Sequence, residues 1–151
     1  MKSRENPVPL QSTSPKRGSA EMGLPEHTNP EAVTVLVVDD DHQLLTFCGK
    51  CLSRRGFRVL QVDDGLQALL VAASHGRPID ILITDVEMPR IRGTELGNVF
   101  KLIWPHTKVL YMSGSLDGSI QSELRLDRNF LPKPFPPDAL VKTVDRMLAG
   151  R

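Results

Sequence analysis

The sequence predicts an α/β domain, doubly wound around a five-stranded parallel sheet with helices on both faces. From residue 32 onward, short apolar runs alternate five times with stretches of helical periodicity, the succession of βα units that builds such a sheet. Runs such as Val35-Leu36-Val37-Val38 and Ile81-Leu82-Ile83 are apolar at every position, as strands covered on both sides must be. Four of the runs are followed at once by polar or charged residues: Asp39-Asp40, Asp85-Val86-Glu87, Ser113-Gly114 and Lys133-Pro134.

In chain order, residues 33–38 form the first predicted strand. Over 42–55, Leu44, Phe47, Cys48, Cys51 and Leu52 recur at i, i+3 and i+4 spacing, which predicts a helix that Gly56 stops. Residues 57–62 make strand two, and a helix follows over 64–73. Strand three covers 79–84, and a helix over 94–103 ends before Pro105. Residues 108–112 form strand four, with a short helix expected over 117–125. Phe130 and Leu131 belong to strand five, and the last helix spans 137–149.

Residues 1–31 differ in kind. Pro7, Pro9, Pro15, Pro25 and Pro30 stand among Ser, Thr, Gly and balanced charges, with too little apolar surface to offset the entropy of ordering. The expected organisation is a disordered leader or linker over 1–31, passive or serving a docking role, and one domain over 32–151. A chain of 151 residues leaves little room for a second domain. A formal net charge of +1 gives no footprint for nucleic acid. No apolar stretch is long enough for a membrane span or a signal peptide, so a cytoplasmic location is expected, and no DNA-binding module is expected after the last helix.

Open parallel sheets bind ligands beyond the carboxyl ends of their strands. Asp39 and Asp40 end strand one, Asp85 strand three, Ser113 strand four and Lys133 strand five, so the topology brings these residues to one edge. Two carboxylates ~4 Å apart repel by about 4 kcal/mol at an effective dielectric of ~20, and a third adds to this. A hard divalent cation relieves that repulsion, and Mg²⁺, bound through one or two carboxylates and a phosphate, suits the set better than zinc, for which no soft ligands stand nearby. One carboxylate can then attack phosphorus in line, with Lys133 and Ser113 taking up charge on the phosphoryl oxygens.

The segments VLVVDDD (35–41), DILITDVEMPRIRG (80–93), VLYMSGS (109–115) and NFLPKPF (129–135) resemble, in order and spacing, the motifs of response-regulator receiver domains of bacterial two-component signalling. The resemblance covers 33–149 and implies a flavodoxin-like strand order 2-1-3-4-5. It implies Asp85 as the phospho-acceptor, Asp40 as a direct Mg²⁺ ligand, Asp39 as holder of a metal-bound water and the Glu87 backbone carbonyl as a further ligand. Ser113 and Lys133 would bind the phosphoryl group, Phe130 falls at an aromatic rotamer switch, and Lys133-Pro134 would be a cis peptide. The donor would be a histidine kinase or histidine phosphotransfer protein. The output would be a downstream protein bound by a surface comprising the 117–125 helix, strand five and the last helix. Such a chain is a switch that assists its own phosphorylation and hydrolysis, not an enzyme with turnover. Both a single-domain regulator and the terminal receiver of a hybrid kinase fit.

Blander roles compete at single positions. Asp39 could cap a helix, Ser113 could serve a turn, Lys133 could be a solvated loop residue and Phe130 could be core. Cys48-Gly49-Lys50-Cys51 has the spacing of thiol oxidoreductases, but both cysteines fall in mid-helix on the apolar stripe, which favours packing over a dithiol redox protein. A phosphorylation-independent interaction module of the same fold is the other alternative. His27, His42, His75 and His106 form no ligand cluster and are expected at the surface. Three features depart from the family: a short interval between Ser113 and Lys133, Arg55 where an apolar residue is usual, and the Glu87 side chain at the mouth of the site.

Overall fold

A computed structural model of the chain describes residues 30–114 and 129–150. The elements are β1 (Thr34–Val38), α1 (His42–Arg54), β2 (Arg58–Val62), α2 (Gly65–Ser74), β3 (Ile81–Asp85), α3 (Gly93–Ile103), β4 (Lys108–Ser113), β5 (Phe130–Pro132) and α4 (Pro137–Ala149). The strands form one sheet in the order β2-β1-β3-β4-β5, with every neighbouring pair parallel. The leader expected over 1–31, apart from Pro30 and Glu31, and the helix expected over 117–125 lie outside the described residues.

Side chains alternate across the sheet with a period of two, and each face has its own core. Val35, Val37, Ile81, Ile83, Leu110 and Met112 pack with Leu45, Cys48 and Leu52 of α1 and Leu140, Val144 and Met147 of α4. Leu36, Val38, Leu82, Val109 and Tyr111 point to the other face, where Ala68 of α2 and Leu96 and Phe100 of α3 cover them. All five β1 residues and all five β3 residues are buried, which is why Val35–Val38 and Ile81–Ile83 within them read as unbroken apolar runs.

Local chemistry sets the boundaries. Asp41 caps α1, its carboxylate accepting from the Gln43 and Leu44 N–H groups at 2.9 and 3.3 Å. Asp64 does the same for α2 through the Gln67 N–H at 2.7 Å. Pro137 opens α4, where a missing N–H costs nothing. Strand three starts at Ile81 rather than 79, because the Ile79 carbonyl accepts from the Thr107 hydroxyl at 2.7 Å instead of joining the sheet. It also runs one residue further than expected, Asp85 pairing with Met112, and β4 likewise includes Ser113, which pairs with Pro132.

Two side expectations resolve differently. Cys48 is buried and Cys51 half-buried within α1, as the packing reading expects. Burial pushes the Cys48 thiol up to about 12, with the negative charge of Asp39 and repulsion from Cys51 adding and Lys133 opposing. A thiol held protonated is the reverse of an attacking redox cysteine. The surface expectation fails for His75, which is half-buried with an Nε2 that is shielded from water and lacks a hydrogen-bond partner. His42 and His106 are exposed, and His27 lies outside the described residues. No helix among the described residues is long and apolar enough to cross a membrane.

One glycine fixes how closely α3 lies on the sheet. A Cβ on Gly97 would stand 2.1 Å from the Tyr111 hydroxyl, with ring carbons at 2.8 and 3.0 Å. Gly97→Ala is therefore expected to destabilise the fold by about 1–3 kcal/mol in urea unfolding, as overpacking does. Combining it with Tyr111→Phe should recover part of the loss, and strict additivity of the two losses would show that the contact is not its source.

Candidate functional site

The loops following β1, β3 and β5 converge at the carboxyl edge of the sheet. Asp39 follows β1 directly and is wholly buried. Its Oδ1 accepts from the Asp41 N–H at 2.8 Å and its Oδ2 from the Lys133 ammonium at 2.8 Å. Asp85 closes β3 and is 7% exposed. Lys133 Nζ lies 3.3 Å from Asp85 Oδ1, which also faces the Glu87 N–H at 3.4 Å. Asp40 is exposed at the rim, and the carboxylates of Asp39, Asp40 and Asp85 each place an oxygen within 4.8 Å of the others.

Ser113, 1% exposed, ends the adjacent strand, and its carbonyl accepts from the Lys133 N–H at 2.8 Å. This bond fixes the start of the loop that carries the ammonium, and the following Lys133-Pro134 peptide is cis. Glu87 reaches the group through its backbone, its side chain being exposed. Phe130 stands apart from the carboxylates at the head of β5. It pairs in register with Tyr111 and is half-buried against the core beneath α2 and α3.

Three neighbours that the sequence reading passed over position the site. Asp41 takes the helix cap considered for Asp39, leaving Asp39 to the ammonium; an Asp immediately before a helical period is a cap signal. The buried Thr84 hydroxyl donates to the Asp85 carbonyl at 3.0 Å. Gly93 opens α3 so close to β3 that a Cβ there would lie 1.9 Å from the Asp85 carbonyl oxygen. A glycine at a loop-to-helix junction was its only mark in the sequence.

Electrostatics follow from this crowding. Burial pushes the Asp85 carboxyl up from 3.8 to about 6, and the charge of Asp39 adds to the rise, while Lys133 and the Glu87 N–H oppose it. Burial pulls Lys133 down, but its bond to Asp39 and the charges of Asp39 and Asp85 outweigh this, and its net shift is upward. Like charges separated by 4.8 Å repel by about 3–4 kcal/mol at an effective dielectric of ~20, and one ammonium cannot neutralise three carboxylates. The set offers only hard oxygen donors, so it fits a divalent cation such as Mg²⁺.

The family model for the response regulator receiver domain matches residues 35–145. The chain is 32% identical over 119 residues to the sensor kinase CckA of Brucella abortus, covering 78% of this chain and 13% of that protein. It is 29% identical over 116 residues to the response regulator receiver protein CpdR of the same organism, covering 76% of this chain and 95% of that one. Among solved structures, a response regulator receiver protein from Sinorhizobium medicae is 32% identical, with a TM-score of 0.71 over 79% of this chain and 96% of that one.

The raised Asp85 pKa has a consequence for stability. The folded chain holds this proton more tightly than the unfolded chain, so ionised Asp85 costs stability above about pH 6 and costs nothing below the ordinary value of 3.8. In metal-free buffer at neutral pH, Asp85→Asn is expected to be more stable than wild type by about 2 kcal/mol, allowing for water at the pocket mouth. Urea unfolding across pH should show the gap closing as pH falls from 6 toward 4. A pH-independent gap would exclude the ionisation as its cause.

Proposed function

This chain belongs to the response-regulator receiver family of two-component signalling, and from that premise we propose that it accepts a phosphoryl group on Asp85. One observation carries the reading: a single ammonium, Lys133 Nζ, lies against both Asp39 and Asp85 within a three-carboxylate cluster at the strand ends. Asp39, Asp40, Asp85 and the Glu87 carbonyl would hold Mg²⁺. When bound, the ion supplies positive charge to the carboxylates and to the oxygens of the incoming phosphoryl group.

The chain's own groups then have distinct tasks. An Asp85 oxygen forms the bond to phosphorus as the P–N bond of a donor phosphohistidine breaks, and the leaving imidazole takes up a proton. Lys133 is already within 3.3 Å of Asp85, so it needs little movement to pair with a phosphoryl oxygen there. Ser113 donates its hydroxyl to the same group from the end of β4. Phosphorylation adds charge where the pocket already has an excess, and the rearrangement of Ser113 and Lys133 passes to β5, α4 and the half-buried Phe130. That surface would select the downstream protein.

Receiver domains are signalling domains rather than classical enzymes. Slow hydrolysis of its own phospho-aspartate would be this chain's only turnover. The donor would be a histidine kinase or histidine phosphotransfer protein, acting in the cytoplasm. Residues 32–151 would form the receiver, with residues 1–31 outside it. The family match over 35–145 and the described elements from Thr34 to Ala149 support that division.

Incubation with acetyl phosphate and Mg²⁺ should add the mass of one phosphoryl group to the intact protein. The gain should vanish in Asp85→Asn and in EDTA. Gain in Asp85→Asn would move the acceptor elsewhere. No gain from acetyl phosphate or from a panel of phosphorylated histidine kinases, with partner binding unchanged in Asp85→Asn, would favour a phosphorylation-independent interaction module. Glu87→Ala is expected to alter the decay of the phosphorylated form, because its exposed carboxylate, two residues after Asp85, would place the hydrolytic water or repel the donor; an unchanged decay rate would remove the side chain from that role.

A further inference from the structure

At the opposite edge of the sheet, α2 and α3 end beside each other and leave a groove of about 410 Å³. Its walls are mostly apolar, formed by Ala72, Phe100, Ile103, Trp104 and Pro105, and its floor is closed by the Thr107 to Ile79 hydrogen bond. The Phe100 and Trp104 rings lie with centroids 4.8 Å apart. Ile103 is 55% exposed and the adjoining Leu102 84%, so a sizeable apolar surface faces water here. Arg77 also lines the groove, and its guanidinium donates to the Pro30 carbonyl at 3.3 Å.

That last bond brings the preceding stretch of chain to the groove. The chain preceding Pro30 enters the described structure at the rim of this groove, held there by a residue of the groove itself. Immediately upstream is Glu21-Met22-Gly23-Leu24-Pro25-Glu26, an apolar stretch between two acids. Leu24 lies six positions before Pro30, and extended chain of that length reaches about 20 Å, ample for the rim and the floor. A Leu-Pro pair suits a cleft walled by Ile103, the Trp104 ring and Pro105, and the flanking glutamates complement Arg77. The tether makes the contact intramolecular, so even weak docking is populated. We propose that Met22–Pro25 docks in the groove between the ends of α2 and α3, with Leu24 and Pro25 against Ile103 and Trp104.

Trp104 is the chain's single tryptophan and reports occupancy directly. In the full chain, acrylamide quenching of its fluorescence should rise severalfold, with a red shift in emission, when Met22 and Leu24 are both changed to Asp. Leu10→Asp, far from Pro30 in sequence, should leave both signals unchanged. Ile103→Asp should reproduce the effect from the groove side, and joining it to the Met22 and Leu24 changes should add little. Quenching unchanged by the Met22 and Leu24 substitutions, or effects that add fully, would overturn the proposal. So would protection of Trp104 that grows with protein concentration, which would assign the groove to a second copy of the chain.

Discussion

The contact on which the carboxyl edge depends is Lys133 Nζ between Asp39 and Asp85. The parallel sheet brings the ends of β1 and β3 together whatever residues occupy them, and here it brings carboxylates. Asp39 is wholly shielded from water, and a buried carboxylate without a partner is among the more costly features a fold can carry. The ammonium arrives from the last strand, 94 residues away in sequence, so the bond closes the two halves of the sheet on each other. Its backbone is fixed to Ser113 and its side chain to Asp39, which leaves the longer contact to Asp85 as the one most readily exchanged.

Much of the fold was legible because burial on both faces leaves an unmistakable pattern. Val35 to Val38 and Ile81 to Ile83 could be nothing but interior strands or short helical pieces, and their length and neighbours decided between these. What the pattern missed lies at its margins. Ile79 is as apolar as Ile81, yet its carbonyl is taken by Thr107, a contact 28 residues away that no local reading contains. Asp85 reads as the residue after a strand because it is charged, but its backbone is still in register with Met112. His75 reads as a surface residue by type alone, yet at the end of α2 its ring nitrogen is shielded from water.

The charged members of the site were legible for a related reason: acids and a lysine placed just after apolar runs have no packing role that would call for them there. Their supports were not. Gly93 matters only because α3 passes over the Asp85 carbonyl with no room for a side chain, a tertiary fact invisible in one sequence. Thr84 passes for an ordinary β-branched strand residue until its hydroxyl is seen on that same carbonyl. Asp41 was hidden by its neighbours, since in a run of three aspartates the sequence does not show which one turns to the helix. The structure divides them by geometry, with one under the ammonium, one at the rim and one on the helix end.

Helix α3 joins the two ends of the molecule. Its first residue, Gly93, rests on the Asp85 backbone, and Trp104 just beyond its last turn walls the groove at the other edge. Eleven residues of α-helix make a rod of about 16 Å, stiff enough to carry a small displacement from end to end. Stiffness alone does not couple two sites. Coupling needs the rod to have two seated positions that each ligand distinguishes, and here the seats are unequal. At Gly93 the fit against backbone leaves no slack, whereas at Trp104 the packing is open to water and an occupant could change it. Any influence of a docked segment on Asp85 must therefore act by tightening or loosening the far end of α3, and it is bounded by how differently the segment binds the two positions.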